Sequence, residues 1–500
     1  MLIPSRAAGF MNSEHLYLLR LAAEVATKSN RTRRRFQERL ARNIQDALGS
    51  SGAEGTVEDH WSRLFVRSPS VHADEVLSRV FGLSSLSRVE ARVDAKLGAI
   101  VEKGRELYVD RVRGRTYAVR CRRVGEHDFS SRDVMNRLGA ALNEEAEVDL
   151  DDPDLTVAVE IRHGDAFLYH DRTDAPGGLP LGVEGKAVCL ISGGFDSAVA
   201  AWLMLKRGIS LEYVFCNLGG QAYERSVVSV AKILADDWSY GDRPALHVVD
   251  FEEVVDHLRE RVTPRYWQVV LKRLMYRAAE EIAGEVEAEA IITGESVGQV
   301  SSQTLGNLRA IDDVASLPVF RPLLGLDKQE IITRADRIGT SALSAKVKEY
   351  CAILPDRPVT HSRPGAARDE EGKMELDRLD GAVAGRRVLD LRSLDPFDLV
   401  EPYIFVDEVP PGAVILDCRP REEFEAWHHP EAQWRAPRWV AAHGDQLDED
   451  RTYVLYCDRG VQTAHLAELL QERGLEAYSF RGGVGKLRRY LDETAPAPVR

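Results

Sequence analysis

The stretch Ala187-Val188-Cys189-Leu190-Ile191-Ser192-Gly193-Gly194-Phe195-Asp196-Ser197 constrains this chain more than any other. A short apolar, β-branched run ends in Ser-Gly-Gly, and an apolar-periodic segment, Ala198 to Leu205, opens at once. That order predicts a strand, a tight glycine loop and a helix. Two glycines let backbone N–H groups converge on an anion, and the helix N-terminus adds partial positive charge. A phosphate suits such a loop. No Gly-Lys-Ser/Thr ending follows, so it is not a Walker A loop.

The 500 residues are too many for one core and predict about three or four domains. Hydrophobic content of 44% and charge of 29% are those of a globular protein, and no apolar run is long enough to span a bilayer. No signal-peptide segment is evident at the N-terminus. Six cysteines without framework spacing point to a reducing cytoplasm. Lys+Arg 66 against Asp+Glu 80, net −14, argues against a polyanion partner on average. The distribution leaves both readings open: residues 31–42 hold six arginines and one Glu, and residues 101–123 hold eight basic groups against three acidic, each run alone reading as a solvated face and the two together as evenly compatible with a polyanion partner.

In chain order, residues 1–14 read as a loose leader with Met11 as an alternative start. A strand over Leu16 to Ala22 leads into an amphipathic helix with Phe36, Leu40, Ile44 and Leu48 on one face. A strand at Leu64 to Val66 and a helix at Ala73 to Phe81 complete a small α+β unit ending near 85. Strands follow at Ser87 to Val93, Thr116 to Arg122 and Leu155 to Ile161, with a helix at Ser131 to Leu142. A turn-dense hinge, Pro176 to Gly182, closes this part. Strands at Val188–Ile191, Tyr213–Asn217, Leu246–Phe251 and Ala290–Thr293, alternating with helices, predict a parallel sheet with ligands at its C-terminal edge. Residues 362–400 read as a linker with one or two short helices, and the last hundred residues as a further α/β unit.

Three constellations carry chemistry. In the middle domain, Asp196 is placed to hold magnesium on a pyrophosphate, and Lys272 and Lys328 to stabilise phosphate charge. Thr293-Gly294-Glu295 and the polar turn Gly298 to Leu305 join them. In the last domain, Cys457 sits between a strand and a helix in Cys457-Asp458-Arg459-Gly460, where amides and the helix N-terminus are expected to depress its pKa. A Cys-x5-Arg phosphatase needs Arg at 463, where this chain has Thr463, so a persulfide fits better than phosphate chemistry. Glu349-Tyr350-Cys351 by itself reads as an inert thiol; its interest comes from Cys457, since a sulfur-carrying cysteine needs a second thiol to resolve the bond once sulfur leaves. Cys121, Cys189, Cys216 and Cys418 read as packing residues, and no cluster has metal-ligand spacing.

Ser-Gly-Gly-Phe-Asp-Ser resembles the PP-loop of ATP pyrophosphatases, which cleave ATP between the α and β phosphates. With Phe215 to Gly220, Leu271-Lys272-Arg273, Thr293 to Leu305, Glu349-Tyr350-Cys351 and the Cys457 loop, the chain resembles the tRNA 4-thiouridine synthase (tRNA sulfurtransferase) family, in its long type with a C-terminal rhodanese domain. The resemblance implies a multidomain α/β and α+β chain. Its parts are an N-terminal ferredoxin-like domain over 1–81, a THUMP RNA-binding domain over 82–181 and a PP-loop domain over 182–361. A linker over 362–404 and a rhodanese domain over 405–500 complete it. It implies that ATP adenylates O4 of a tRNA uridine and that sulfur from a persulfide on Cys457 replaces AMP. The cysteine desulfurase that loads Cys457, a Cys351–Cys457 disulfide during turnover, and Asp196 and Lys328 as residues essential for adenylation come with it. The nucleotide contacts it implies are Leu190, Ile191, Ser192, Gly193, Gly194, Asp196, Ser197, Phe215, Cys216, Lys272, Gly294 and Gln303. Magnesium enters with ATP, and no permanent metal is implied. Some members also pass sulfur to the thiazole of thiamine through a sulfur carrier protein, and a homodimer is compatible with the family. Ala426 to Pro430 depart from the family pattern, which points to a different sulfur donor docking there.

Two other readings compete. A PP-loop amidotransferase needs an ammonia source or glutaminase, and no such signature is present. A non-catalytic RNA-binding protein would not be expected to keep both polar, strained loops intact. Pyrophosphate release, and its dependence on tRNA, separates the three.

Overall fold

The computed structural model describes residues 14–494 apart from 60–62, 71, 144–145, 219, 347–356, 396–403 and 472. Met11 and Glu349-Tyr350-Cys351 therefore lie outside the described residues. Two compact units divide between Pro180 and Leu181.

The first unit begins with β1 (His15–Leu21), α1 (Ala23–Ala26), α2 (Asn30–Ser51), β2 (Thr56–Asp59), β3 (Leu64–Ser68), α3 (Ala73–Leu77) and β4 (Leu83–Val89). The four strands form an antiparallel sheet in the order β4-β1-β3-β2. The stripe read from sequence is the buried face of α2: Phe36, Leu40, Ile44 and Leu48 are all buried, while Arg31, Arg34, Arg35 and Arg42 stay exposed. A second sheet comes from β5 (Ala91–Asp94), α4 (Leu97–Val112), β6 (Thr116–Val124), α5 (Ser131–Leu142), β7 (Glu147–Val148), β8 (Leu155–Arg162) and β9 (Asp165–Tyr169). Its order is β5-β9-β8-β6-β7, and β10 (Thr173–Asp174) returns to pair with β4.

Two expectations need correction here, and one helix was not foreseen. The strand expected over Ser87 to Val93 is two strands in different sheets, because the chain crosses between sheets at Glu90. The helix expected to reach Phe81 ends at Leu77: Gly82, at φ +96°, turns the chain into β4 and donates to the Gly177 carbonyl. The basic run 101–123 hides α4, whose Ile100, Gly104, Tyr108 and Val112 are buried at four-residue spacing beneath the charges.

The second unit opens with β11 (Lys186–Leu190), α6 (Phe195–Leu205), β12 (Ser210–Asn217), α7 (Gly220–Trp238), β13 (Ala245–Asp250), α8 (Glu252–Arg261) and α9 (Trp267–Glu285). β14 (Ile291–Ile292), α10 (Leu305–Asp312), β15 (Val319–Phe320), α11 (Lys328–Ile338) and α12 (Ser341–Lys346) follow. The strands lie in the order β15-β14-β11-β12-β13, all parallel, as continuous apolar strands between helices require. On α9, Val270, Leu274, Ala278 and Ile282 are fully buried.

The segment expected to be a linker over 362–404 is, through residue 390, part of this sheet domain. α13 (Pro364–Glu371) and α14 (Asp377–Ala384) lead to β16 (Arg387–Asp390), which adds to β13 as an antiparallel edge strand. Met374, Leu379 and Val383 enter the core beside α9. Arg273, fully buried in α9, forms an ion pair with Glu371. The charge-rich composition conceals this because α14 buries only one narrow face.

A separate parallel sheet closes the chain: β17 (Phe405–Val406), β18 (Val414–Asp417), α15 (Arg421–Ala426), β19 (Ala432–Trp434), α16 (Pro437–His443), β20 (Thr452–Tyr456), α17 (Val461–Gln471), β21 (Glu476–Phe480) and α18 (Gly483–Thr494). Its order is β17-β21-β20-β18-β19. Trp427 packs into this domain's core under the Arg488 guanidinium at 4.2 Å, His428 stacks on Phe424, and His429 is buried. Much of the unusual Ala426 to Pro430 segment is thus spent on internal packing. Among the described residues no helix is long and apolar enough to cross a membrane.

Candidate active site

The glycine loop leaves the C-terminal end of β11, a central strand, and enters α6 at Phe195. Gly193 takes φ +74°, where a side chain would be strained. Ser197, buried in the first turn of α6, ties the loop shut: its Oγ accepts from the Ser192 amide at 3.2 Å and donates to the Gly194 carbonyl at 3.2 Å. Leu190 ends the strand, and Ile191 is buried with its amide donating to the Val214 carbonyl. Phe215 and Cys216 sit beside it on β12. Tyr223, one turn into α7, meets the Phe215 ring edge-on and donates its hydroxyl to the Ser192 carbonyl at 2.9 Å. No local pattern announces Tyr223.

The Thr293-Gly294-Glu295 turn, just beyond β14, presses on the same helix end. A Cβ on Gly294 would lie 2.6 Å from the Ser197 amide nitrogen and 2.7 Å from the Asp196 carbonyl carbon. Only glycine permits this approach. Asp196 is held from a helix start and a further loop: Lys328 Nζ lies 3.0 Å from both carboxylate oxygens, and Gln299 Nε2 donates to Oδ2 at 2.9 Å. Asp327, with a reciprocal capping box to Glu330, starts α11 so that Lys328 faces Asp196. Gln303 supports the polar turn, its side-chain carbonyl accepting from the Ser296 amide and its backbone carbonyl from Gly298.

Lys272 reaches the same edge from α9 and pairs with Glu295 at 2.5 Å. Glu295 is buried, and burial alone would push its carboxyl up. The Lys272 and Arg321 charges and four hydrogen-bond donors outweigh that and hold it down to about 2. The sequence-expected nucleotide residues thus converge on one edge of the parallel sheet, where a strand-end loop and a helix N-terminus can take an anion.

Cys457 lies at the end of β20, buried, its Sγ 3.4 Å from Thr463 Oγ1. Gly483, at φ +63°, packs so closely that a Cβ there would lie 2.5 Å from the Cys457 carbonyl oxygen. The expected depression of the Cys457 pKa does not hold in this arrangement. Burial pushes the thiol up, and the Thr463 contacts and loop amides offset only part of it. Thr463, noted from sequence only as the missing arginine, is a polar partner of the sulfur.

The structure does not bring Cys457 to the glycine loop. Arg459, two residues on, is seated on the far end of α7, its Nη2 donating to the Asp236 carbonyl at 2.8 Å and its Nε pairing with Asp237 at 3.0 Å. Gln462 donates to the Gly339 carbonyl, and His465 Nε2 lies 2.9 Å from Ser229 Oγ. Ala342 of α12 enters the core of the C-terminal domain. From Tyr223 to Asp236 the helix axis runs about 20 Å, so the thiol and the glycine loop sit at opposite ends of α7. Sequence offered no signal for this docking.

Family models match in four places. Residues 16–87 match a ThiI ferredoxin-like domain, 95–171 a THUMP domain, 182–376 the thiamine biosynthesis protein ThiI and 406–489 a rhodanese-like domain. A tRNA sulfurtransferase of Pyrobaculum aerophilum is 38% identical over 465 residues, 92% of this chain and 95% of its own length. Another, of Desulfurococcus amylolyticus, is 37% identical over 96% of this chain and 99% of its own. Among solved structures, a 4-thiouridine synthetase in complex with RNA and with bound ATP superposes with a TM-score of 0.67 at 32% identity, covering 75% of this chain and 99% of that one.

Proposed function

The chain belongs to the tRNA sulfurtransferase family, and from that premise we propose that it converts a tRNA uridine to 4-thiouridine at two centres of the second unit. O4 of the uridine attacks the α-phosphorus of ATP, and pyrophosphate leaves. Ser192, Gly193, Gly194 and Ser197 cradle the phosphates. Leu190, Ile191, Phe215, Cys216, Gly294 and Gln303 hold the rest of the nucleotide, Lys272 binds its phosphates, and Lys328 offsets the charge that develops. Asp196 is a hard oxygen donor suited to the magnesium that accompanies ATP. The observation that carries this reading is the closed pair of Asp196 with Lys328 at the first turn after the glycine loop, drawn together from positions 132 residues apart.

A cysteine desulfurase loads Cys457 as a persulfide, whose terminal sulfur displaces AMP from C4. Cys351 then attacks Cys457 Sγ, so the sulfane sulfur is reduced as the two thiols are oxidised to a disulfide. An external dithiol restores both. The arginines of the first unit contact tRNA, and the reaction runs in the cytoplasm. A sulfur carrier protein of thiazole synthesis is a second acceptor, and a homodimer is the assembly we expect.

Nucleoside mass spectrometry of tRNA incubated with ATP, magnesium, cysteine and a desulfurase tests this. Wild type makes 4-thiouridine, while Asp196→Ala and Cys457→Ala make none. Cys351→Ala fails in multiple turnover and regains product at single turnover. No 4-thiouridine from wild type, with tRNA bound and the desulfurase active, would sink the assignment.

A further inference from the structure

Glu295 divides its two carboxylate oxygens between different tasks. Oε2 accepts from the Tyr276 hydroxyl at 2.6 Å, Arg321 Nε at 2.9 Å and Thr293 Oγ1 at 3.2 Å. Oε1 is given to Lys272 Nζ, at 2.5 Å. Arg321 is in turn neutralised by Asp312, with Nη1 donating at 3.0 Å. Three donors therefore fix one oxygen in the protein interior, and the other is left facing a lysine whose side chain is 24% exposed. A lysine stem has four rotatable carbons, and holding its ammonium in one place costs considerable side-chain entropy unless something fixed receives it. The same carboxylate follows Gly294, the residue in backbone contact with Asp196 and Ser197. It thus registers Lys272 against the glycine loop.

We propose that Glu295 is a positioning residue for ATP: it holds the Lys272 ammonium at the nucleotide edge with one proton donor committed inward and two free to face phosphate. This rests on the reading of Lys272 as a nucleotide contact. The chemistry supplies a sharp test. In Glu295→Gln the amide oxygen takes the Oε2 place, where three donors demand an acceptor, and the NH2 group is turned towards the lysine ammonium. The interior network survives and the Lys272 contact alone is lost.

The full chain is assayed for tRNA-dependent pyrophosphate release over a range of ATP concentrations, with thermal unfolding checking the fold. Glu295→Gln and Lys272→Met each raise KM for ATP at least tenfold and change kcat less than threefold. The double variant is no worse than the worse single variant, because both remove one positioned cation. Multiplicative losses in the double variant, or a Glu295→Gln enzyme with wild-type KM beside an impaired Lys272→Met, would overturn the positioning role while leaving Lys272 at the nucleotide. An unchanged KM in Lys272→Met overturns both. If the amide variant does not fold, Glu295→Asp keeps the charge facing Arg321 and withdraws it by one methylene. KM must then rise in the wild-type background and stay level in Lys272→Met, and any other pattern rejects the proposal.

Discussion

Gly294 and Glu295 show how much one position can decide. Gly294→Ala would drive a methyl group into the backbone of Asp196 and Ser197, atoms that cannot swing aside. Overpacking of that kind costs about 1–3 kcal/mol, and the displaced helix end should cut kcat/KM for ATP at least tenfold. Gly284→Ala is the control: its Cβ would meet open space on α9, and helix propensity favours alanine by up to about 1 kcal/mol. Equal losses in both would show that the close approach is not what Gly294 is for. Glu295 also leaves a mark on stability. Its folded carboxyl titrates at about 2, below the ordinary 4.5, so its contribution is present above pH 4.5 and disappears as the pH falls towards 2. Wild type and Glu295→Gln should therefore differ in denaturant midpoint at pH 6, with the gap closing as the pH falls from about 4.5 to about 2. A constant gap would mean that the carboxylate charge is not the source.

At the scale of elements, the segment between the two α/β domains is the one that composition misrepresents. A tether would tolerate almost any substitution, but Leu379 is buried against the sheet domain, and Leu379→Ala should cost about 2–5 kcal/mol in chemical unfolding. A cost below about 0.5 kcal/mol would restore the linker reading, since that is what exposed positions show. The second expectation concerns Cys457, whose loop is legible in sequence but whose reactivity is not. Amides and a helix end lower a thiol pKa only where the sulfur keeps solvent or a charge nearby, and here burial wins.

At the scale of the molecule, the C-terminal domain is latched. Arg459, Gln462 and His465, all in or next to the Cys457 loop, bind α7 or the turn at Gly339, and α12 is shared between the two cores. In this pose the thiol is buried and held up in pKa. Under the proposed function, transfer from Cys457 to a base at the glycine loop requires the domain to leave its seat. Arg459→Ala and Asp237→Asn should each raise the rate of Cys457 alkylation by iodoacetamide several-fold at pH 7, read by peptide mass spectrometry with Cys189 as the buried reference. Unchanged rates would show that the latch does not control access.

Sequence by itself determined what is local: the strand, glycine loop and helix around Ser192 to Ser197, the stripe of α2, the parallel alternation of the second unit, and Cys457 at a strand end. Each rests on residues within about a turn of one another, where propensity and spacing act directly. The tertiary structure alone decided the partners. Gln299 and Lys328 meet Asp196 across 103 and 132 residues, and Arg277 and Arg273 meet Glu371 across 94 and 98. Such pairs have no signature because each member, read alone, looks like a solvated polar side chain, and only the fold brings it to its partner. The same holds for Cys457: its neighbours in sequence favour a thiolate, and packing in the folded chain buries it and pushes its pKa up.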